Sequence, residues 1–194
     1  MDLRGLTSLK KLNCFSNSLT SLNLQGLVNL TDLICSQNQL TSINLNGLAN
    51  LTSIDCSDNK LTSLDLDGLV SLSYLDCSYN QLKTIDLSGI VIRYPVFDLN
   101  NNGLTSFTLK NGVLEQSVSF ANNPNLQFVC VDESETIGIQ NKIKQYGYTN
   151  CNVNSYCSFT PGGNYYTIQG NTKLDNNNNG CDVEDTNYPD LKFS

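Results

Sequence analysis

The chain has 194 residues and carries 18 acidic against 11 basic side chains, a formal net charge of −7. It offers no basic stripe for a phosphate backbone, and an acidic surface is repelled by nucleic acid. It contains no histidine, which removes the Ser-His and Cys-His nucleophile pairs, and no G-x-S-x-G, H-E-x-x-H or phosphate-loop motif appears. No apolar run reaches the roughly 18 residues of a membrane span, and no secretory signal pattern is present.

Cys14, Cys35, Cys56 and Cys77 stand 21 residues apart, each in the same frame. Leu30-x-x-Leu33-x-Cys35-x-x-Asn38-x-Leu40 becomes Leu51-x-x-Ile54-x-Cys56-x-x-Asn59-x-Leu61 in the next period. A fixed period this short means one supersecondary unit per repeat, stacked into a solenoid. The chain opens inside the pattern, because Leu3-x-Gly5-Leu6 matches Leu24-x-Gly26-Leu27; this predicts further turns upstream, with any secretion signal beyond them.

The first half of each repeat reads as a short strand. In Leu72–Cys77 the alternation turns Leu75 and Cys77 inward and Tyr74 and Asp76 outward. The cysteine is then a small buried hydrophobe, since thiols collinear over four layers cannot converge on a tetrahedral metal and parallel Cβ vectors disfavour a disulfide. Asn17, Asn38, Asn59, Asn80, Asn102 and Asn123 form a second ladder where the chain leaves the strand, and a buried asparagine there must bond to backbone groups of neighbouring turns. The second half, as in Leu61-Thr62-Ser63-Leu64-Asp65-Leu66, again alternates and predicts a short extended segment on the opposite face. Glycines 26, 47, 68 and 89 suit a return bend with positive φ.

The frame L-x-x-L-x-C-x-x-N-x-L-T-S-L-x-L-x-G over residues 3–130 resembles the leucine-rich repeat family. In its 21-residue, Cys-bearing form it is similar to repeats of secreted proteins from Flavobacterium-type Bacteroidetes. The resemblance implies a right-handed, mainly β solenoid with a parallel sheet on its concave side. The pattern loosens in the fifth unit, where Leu99 replaces Cys, and in the sixth, where Phe120 does, as expected on the approach to a cap.

Domains are expected at 1–125 for about six repeats, at 126–157 for a C-terminal cap, and at 158–194 for a tail. Residues 132–147 predict a short helix, with Ile139, Ile143 and Tyr146 on one face and Gly147 as its C-cap. Cys130, Cys151, Cys157 and Cys181 fall outside the period, and an even off-pattern set suggests disulfides and an oxidising compartment. Three pairings are possible; local loop closure favours Cys130–Cys151 with Cys157–Cys181.

In the tail, a strand-like Tyr165–Gly170 precedes Asp175-Asn176-Asn177-Asn178-Asn179-Gly180. The D-x-N-x-N-G spacing puts oxygen donors at alternate positions, as in calcium loops, with Asp175, Asn177, Asn179, Asp182 and Asp185 as possible ligands; calcium is the one cofactor expected, against a plain Asn-rich turn. Thr186 stands where such loops end in Glu. The tail also resembles the opening of B-type immunoglobulin-like modules of bacterial surface adhesins.

The outward strand positions are the candidate site: Phe15, Ile34, Asp55, Asp58, Tyr74, Asp76, Tyr79 and Asp98. Solenoids bind extended partners on such faces, and aromatics beside carboxylates suit protein anchors or sugar rings. The expected function is a non-catalytic recognition or adhesion module of a secreted or cell-surface bacterial protein, with a protein or glycan ligand. A passive spacer is the alternative. Ice binding through the Thr20, Thr41, Thr62 and Thr105 ladder comes last, because Asp65 and Asp86 interrupt the neighbouring outward column.

Overall fold

A computed structural model describes residues 3–157, together with the backbone of 173–174 and 186–187. The chain divides into two compact units, Met1–Pro161 and Gly162–Ser194.

The first unit is a parallel-sheet solenoid. Its strands, three residues each, are β1 (Lys11–Asn13), β2 (Asp32–Ile34), β3 (Ser53–Asp55), β4 (Tyr74–Asp76), β5 (Thr84–Asp86), β6 (Val96–Asp98), β7 (Ser106–Thr108), β8 (Ser117–Ser119), β9 (Phe128–Cys130) and β10 (Asn152–Asn154). Strands β1-β2-β3-β4-β6-β8 form one six-stranded sheet, and β10-β9-β7-β5 a second. Every ladder in both is parallel, and the register carries each repeat onto the next: Leu12 faces Leu33, Leu33 faces Ile54, Ile54 faces Leu75, and Leu75 faces Phe97. These central residues and the cysteines that follow are buried, and Cys35, Cys56 and Cys77 are wholly so.

The second half of the repeat behaves in two ways. Its leucines point inward throughout, with Leu24, Leu45 and Leu66 buried. A paired strand forms there only from β5 onward; residues 20–24, 41–45 and 62–66 form no ladder. The later segments place Ile85, Phe107 and Val129 in register, one buried apolar column. Gly26, Gly47 and Gly68 take φ near +80° at the return bend. Gly89 stays out of that region, so this bend does not require glycine there.

The asparagine ladder is the main polar support of the array. Asn59 Nδ2 donates to the carbonyls of Cys35, Cys56 and Ser57, each at 3.1 Å, while its Oδ1 accepts the Leu40 amide at 3.0 Å. Asn38, Asn80, Asn102 and Asn123 repeat this arrangement. Each thus ties its own turn to the preceding one and satisfies backbone groups that burial would otherwise orphan. Asn17, in the first rung, is exposed, and its side chain bonds only within its own turn, to the Cys14 and Phe15 carbonyls.

The cap follows the expectation for its helix and departs from it for its cross-link. A 3-10 turn at Glu133–Glu135 leads into α1 (Thr136–Gln145), whose Ile139 and Ile143 are buried. Gly147 at φ +78° ends the helix: its amide reaches the Lys144 carbonyl, and the Tyr148 amide reaches that of Ile143, a Schellman arrangement. Tyr146 stands edge-on to Phe120 at 5.1 Å, and the Tyr148 hydroxyl donates to the Phe120 carbonyl at 2.7 Å, sealing the last apolar layer.

The disulfide is Cys130–Cys157, which corrects the expected Cys130–Cys151 pairing and, since Cys157 is taken, also the Cys157–Cys181 one. The reason lies in the register. Strand β10 pairs with β9 so that Asn152 faces Phe128 and Asn154 faces Cys130. Cys151 therefore enters at the opposite end of the pair from Cys130, about 10 Å along the strand. Cys157, three residues beyond β10, returns to within 5.2 Å of Cys130, Cα to Cα.

In the second unit, β11 (Lys173–Leu174) and β12 (Thr186–Asn187) pair antiparallel, Lys173 opposite Asn187. Asp175, Asn177, Asn179, Asp182, Asp185 and Cys181 lie outside the described residues, as does the expected immunoglobulin-like opening.

Candidate functional site

The outer face of the six-stranded sheet presents regular columns. The first strand position carries Lys11, Asp32, Ser53, Tyr74, Val96 and Ser117; the third carries Asn13, Ile34, Asp55, Asp76, Asp98 and Ser119. Neighbouring members of a column are about 4.8 Å apart. Three of the expected site residues, Asp55, Asp76 and Asp98, thereby form one carboxylate ladder, with Ile34 preceding it in the same column. Tyr74 rises beside it from the first column and is 40% exposed.

The ladder is braced by hydroxyls that sequence reasoning missed. Asp55 Oδ1 accepts from Ser57 Oγ at 2.7 Å, and its Oδ2 from Ser36 Oγ at 2.8 Å; Asp76 Oδ1 accepts from Ser78 Oγ at 2.6 Å. The backbone amides two residues on, of Ser57, Ser78 and Asn100, donate to Asp55, Asp76 and Asp98 respectively. The signal was present in the repeated Asp-Cys-Ser triplet, an Asx-turn pattern straddling the buried cysteine. Desolvation leads in pushing the Asp98 carboxyl up, with the Asp76 charge adding to it and the Asn100 amide opposing. Desolvation also raises the Tyr74 phenol, helped by Asp76, Asp55 and Asp98, so its hydroxyl remains a neutral donor facing three carboxylates.

The next column leaves the strand. Ser16, Gln37, Asp58, Tyr79, Asn101 and Asn122 all adopt left-handed backbone, with φ between 50° and 59°. Each sits just before its ladder asparagine, and in all but Asn122 the amide bonds to the following turn, as Asp58 N to Ser78 O and Tyr79 N to Asn100 O. Small polar residues tolerate this region; a bulky aromatic is a genuine outlier in it. Tyr79 nevertheless holds it and is 60% exposed. Tyr74 and Tyr79 thus belong to one rung and flank Asp76, with Asp58 one layer away beside Tyr79.

Phe15 does not join them. It is exposed in the first rung, three layers from Tyr74, or about 14 Å. Its equivalents Ser36 and Ser78 are buried. Lys11 and Asp32 make an exposed ion pair at 3.5 Å, and the Thr31 hydroxyl is the leading cause of the lowered Asp32 pKa.

Other features carry no chemistry. Burial pushes the thiols of Cys14, Cys35, Cys56 and Cys77 up, which keeps them protonated and inert. Among the described residues no group of three or more His, Cys, Asp or Glu side chains could hold a metal ion, and no helix is long and apolar enough to cross a membrane. Thr20, Thr41 and Thr62 are exposed at the corner, beside exposed Ser21, Ser42 and Ser63.

The fold and this face define a leucine-rich repeat solenoid. Residues 49–89 match the family model for leucine rich repeats (2 copies). Among solved structures, the functional domain of InlJ from Listeria monocytogenes, described as including a cysteine ladder, is similar at 26% identity and TM-score 0.56, over 68% of this chain and 32% of that one. A leucine-rich repeat protein of Leptospira interrogans matches at 23% identity and TM-score 0.41, over 77% and 49%, and the leucine-rich repeat domain of APL1B at 19% and 0.46, over 68% and 56%. The chain therefore spans about a third of the InlJ domain and about half of the other two. No curated protein matches it. Leucine-rich repeat domains are typically non-catalytic modules that bind protein partners.

Proposed function

We propose that this chain is a recognition module of a secreted or cell-surface bacterial protein and that it binds a protein ligand across the outer face of the six-stranded sheet. The observation that carries the reading is Tyr79, an exposed aromatic kept in left-handed backbone beside Tyr74 and the Asp55–Asp76–Asp98 ladder. Strained, exposed positions persist where they serve contact. Two tyrosines supply rigid, amphipathic contact area, and the carboxylates between them favour a partner face rich in Lys or Arg. The off-period disulfide supports an oxidising compartment, and the 21-residue Cys-bearing repeat supports a source among Bacteroidetes-type secreted proteins.

The test is a binding screen of the chain against extracellular protein and glycan arrays, with and without calcium, using the Tyr74→Ala/Tyr79→Ala variant as control. A protein hit that is lost in the folded variant and weakens with salt supports the reading. A hit confined to sugars moves the ligand class to glycans. Silence on a folded sample leaves the spacer role.

A further inference from the structure

The seam between the solenoid and its cap holds two carboxylates against a single amine, that of Lys142. Glu135, at the entry to α1, is only 9% exposed, and its Oε2 has no hydrogen-bond partner. Glu115, on the loop before β8, presents a second buried and unpartnered Oε2. Its backbone amide donates to the Glu135 carboxyl, and the two carboxyl groups lie within hydrogen-bond reach of each other, where one proton could be shared between them. The other Glu115 oxygen is already bound, accepting from Asn111 Nδ2 at 2.8 Å. Both glutamates line a cleft of about 220 Å³ shared with Ser117 and Ser134.

The charges around this cleft do not balance it. Lys142 lines it and supplies one positive charge against two carboxylates, its amine held on the Val118 carbonyl. Asp132 adds a further negative charge and spends an oxygen on the Gly112 amide at 2.7 Å. A buried carboxylate without a counter-charge is costly, and two in contact are more so. Hard oxygen donors, a partly open cleft and excess negative charge match what calcium or magnesium takes.

We propose that Glu115 and Glu135 bind a hard divalent cation, calcium in the first instance, at the seam between the last turn of the sheet and the cap helix. Water and the serine hydroxyls complete its shell, so the site is a modest clasp that joins the 111–118 loop to α1. The competing occupant is a proton. Burial, and after it the neighbouring Glu115 carboxyl, push Glu135 up to about 8.

The test is thermal unfolding and calorimetric titration of the whole chain with calcium chloride at pH 8.5, where most of that proton has left. Saturating calcium is expected to raise the melting temperature by about 2–4 °C. Glu135→Gln and Glu115→Gln, each nearly isosteric, should each remove the rise. The paired variant Asp175→Asn/Asp182→Asn, placed in the tail, should keep it. No response in the unaltered chain, an equal response in either Glu→Gln variant, or a stability that changes with pH but not with calcium would overturn the proposal. If one Glu→Gln variant fails to fold, the other decides.

Discussion

The same residue type does opposite work in the array and in the cap. In the array, Cys35, Cys56 and Cys77 are protonated thiols that fill space in successive turns tied together by the asparagine ladder. In the cap, Cys130 and Cys157 close a covalent loop where the repeat has run out. The array gains its order from repetition, since every turn buries its edge on a copy of itself. The cap has no copy to lean on. It substitutes a helix face, the Phe120–Tyr146 edge contact and a cross-link. The contrast teaches that one turn's stability is shared along the solenoid, whereas the end must be secured locally.

The sharpest way to break this contrast is to remove the cross-link. The chain-entropy relation for a separation of 27 residues gives about 3.5 kcal/mol, so Cys130→Ser should cost about 3 kcal/mol. The equivalent change in the ladder, Cys56→Ala, removes one buried sulfur and should cost about 1 kcal/mol. Denaturant unfolding with and without reductant checks both: dithiothreitol should reproduce the Cys130→Ser loss and leave the Cys56→Ala increment unchanged. Equal costs at the two positions would remove the distinction.

Next comes the polar support of the array. Asn59→Ala leaves the Leu40 amide and three carbonyls without their side-chain partner, and the expected loss is about 1–3 kcal/mol. Asn17→Ala, at an exposed rung whose asparagine side chain bonds only within its own turn, should cost well under half as much. Melting temperatures of the two variants measure the difference between an interior rung and an end rung. An unchanged melting temperature for Asn59→Ala would remove the ladder from the account of stability.

What could be read from the sequence follows the same division. The strands, the inward Leu and Cys columns and the asparagine ladder were legible because the period states each of them several times. The helix was legible from Ile139, Ile143 and Gly147, which are local signals. The pairing of Cys130 was not. Loop length says nothing of the β9–β10 register, and that register sends Cys151 to the wrong end of the strand. The site was legible in part. Alternation placed Asp55, Asp76 and Asp98 outward, but it grouped Phe15 with residues three layers away. It also gave no warning that Asp58 and Tyr79 sit in left-handed backbone, because the demand for positive φ comes from bonding to the next turn. The Glu115–Glu135 contact joins two irregular segments 20 residues apart, and no period reports on those.

The smallest expected effect is the most informative about function. Position 79 is occupied in later turns by Asn101 and Asn122, both in the same left-handed conformation. Asparagine is at home there and tyrosine is not, so Tyr79→Asn should stabilise the fold by about 0.5–1 kcal/mol. If the ring is kept for contact with a partner, the same change should weaken binding while the melting temperature rises by about 1–4 °C. A rise in stability with binding untouched would make Tyr79 an incidental surface residue and move the recognition site to Tyr74 and the carboxylate ladder alone. A fall in stability would show that the ring packs on its neighbours, and that its strain is offset within the solenoid itself.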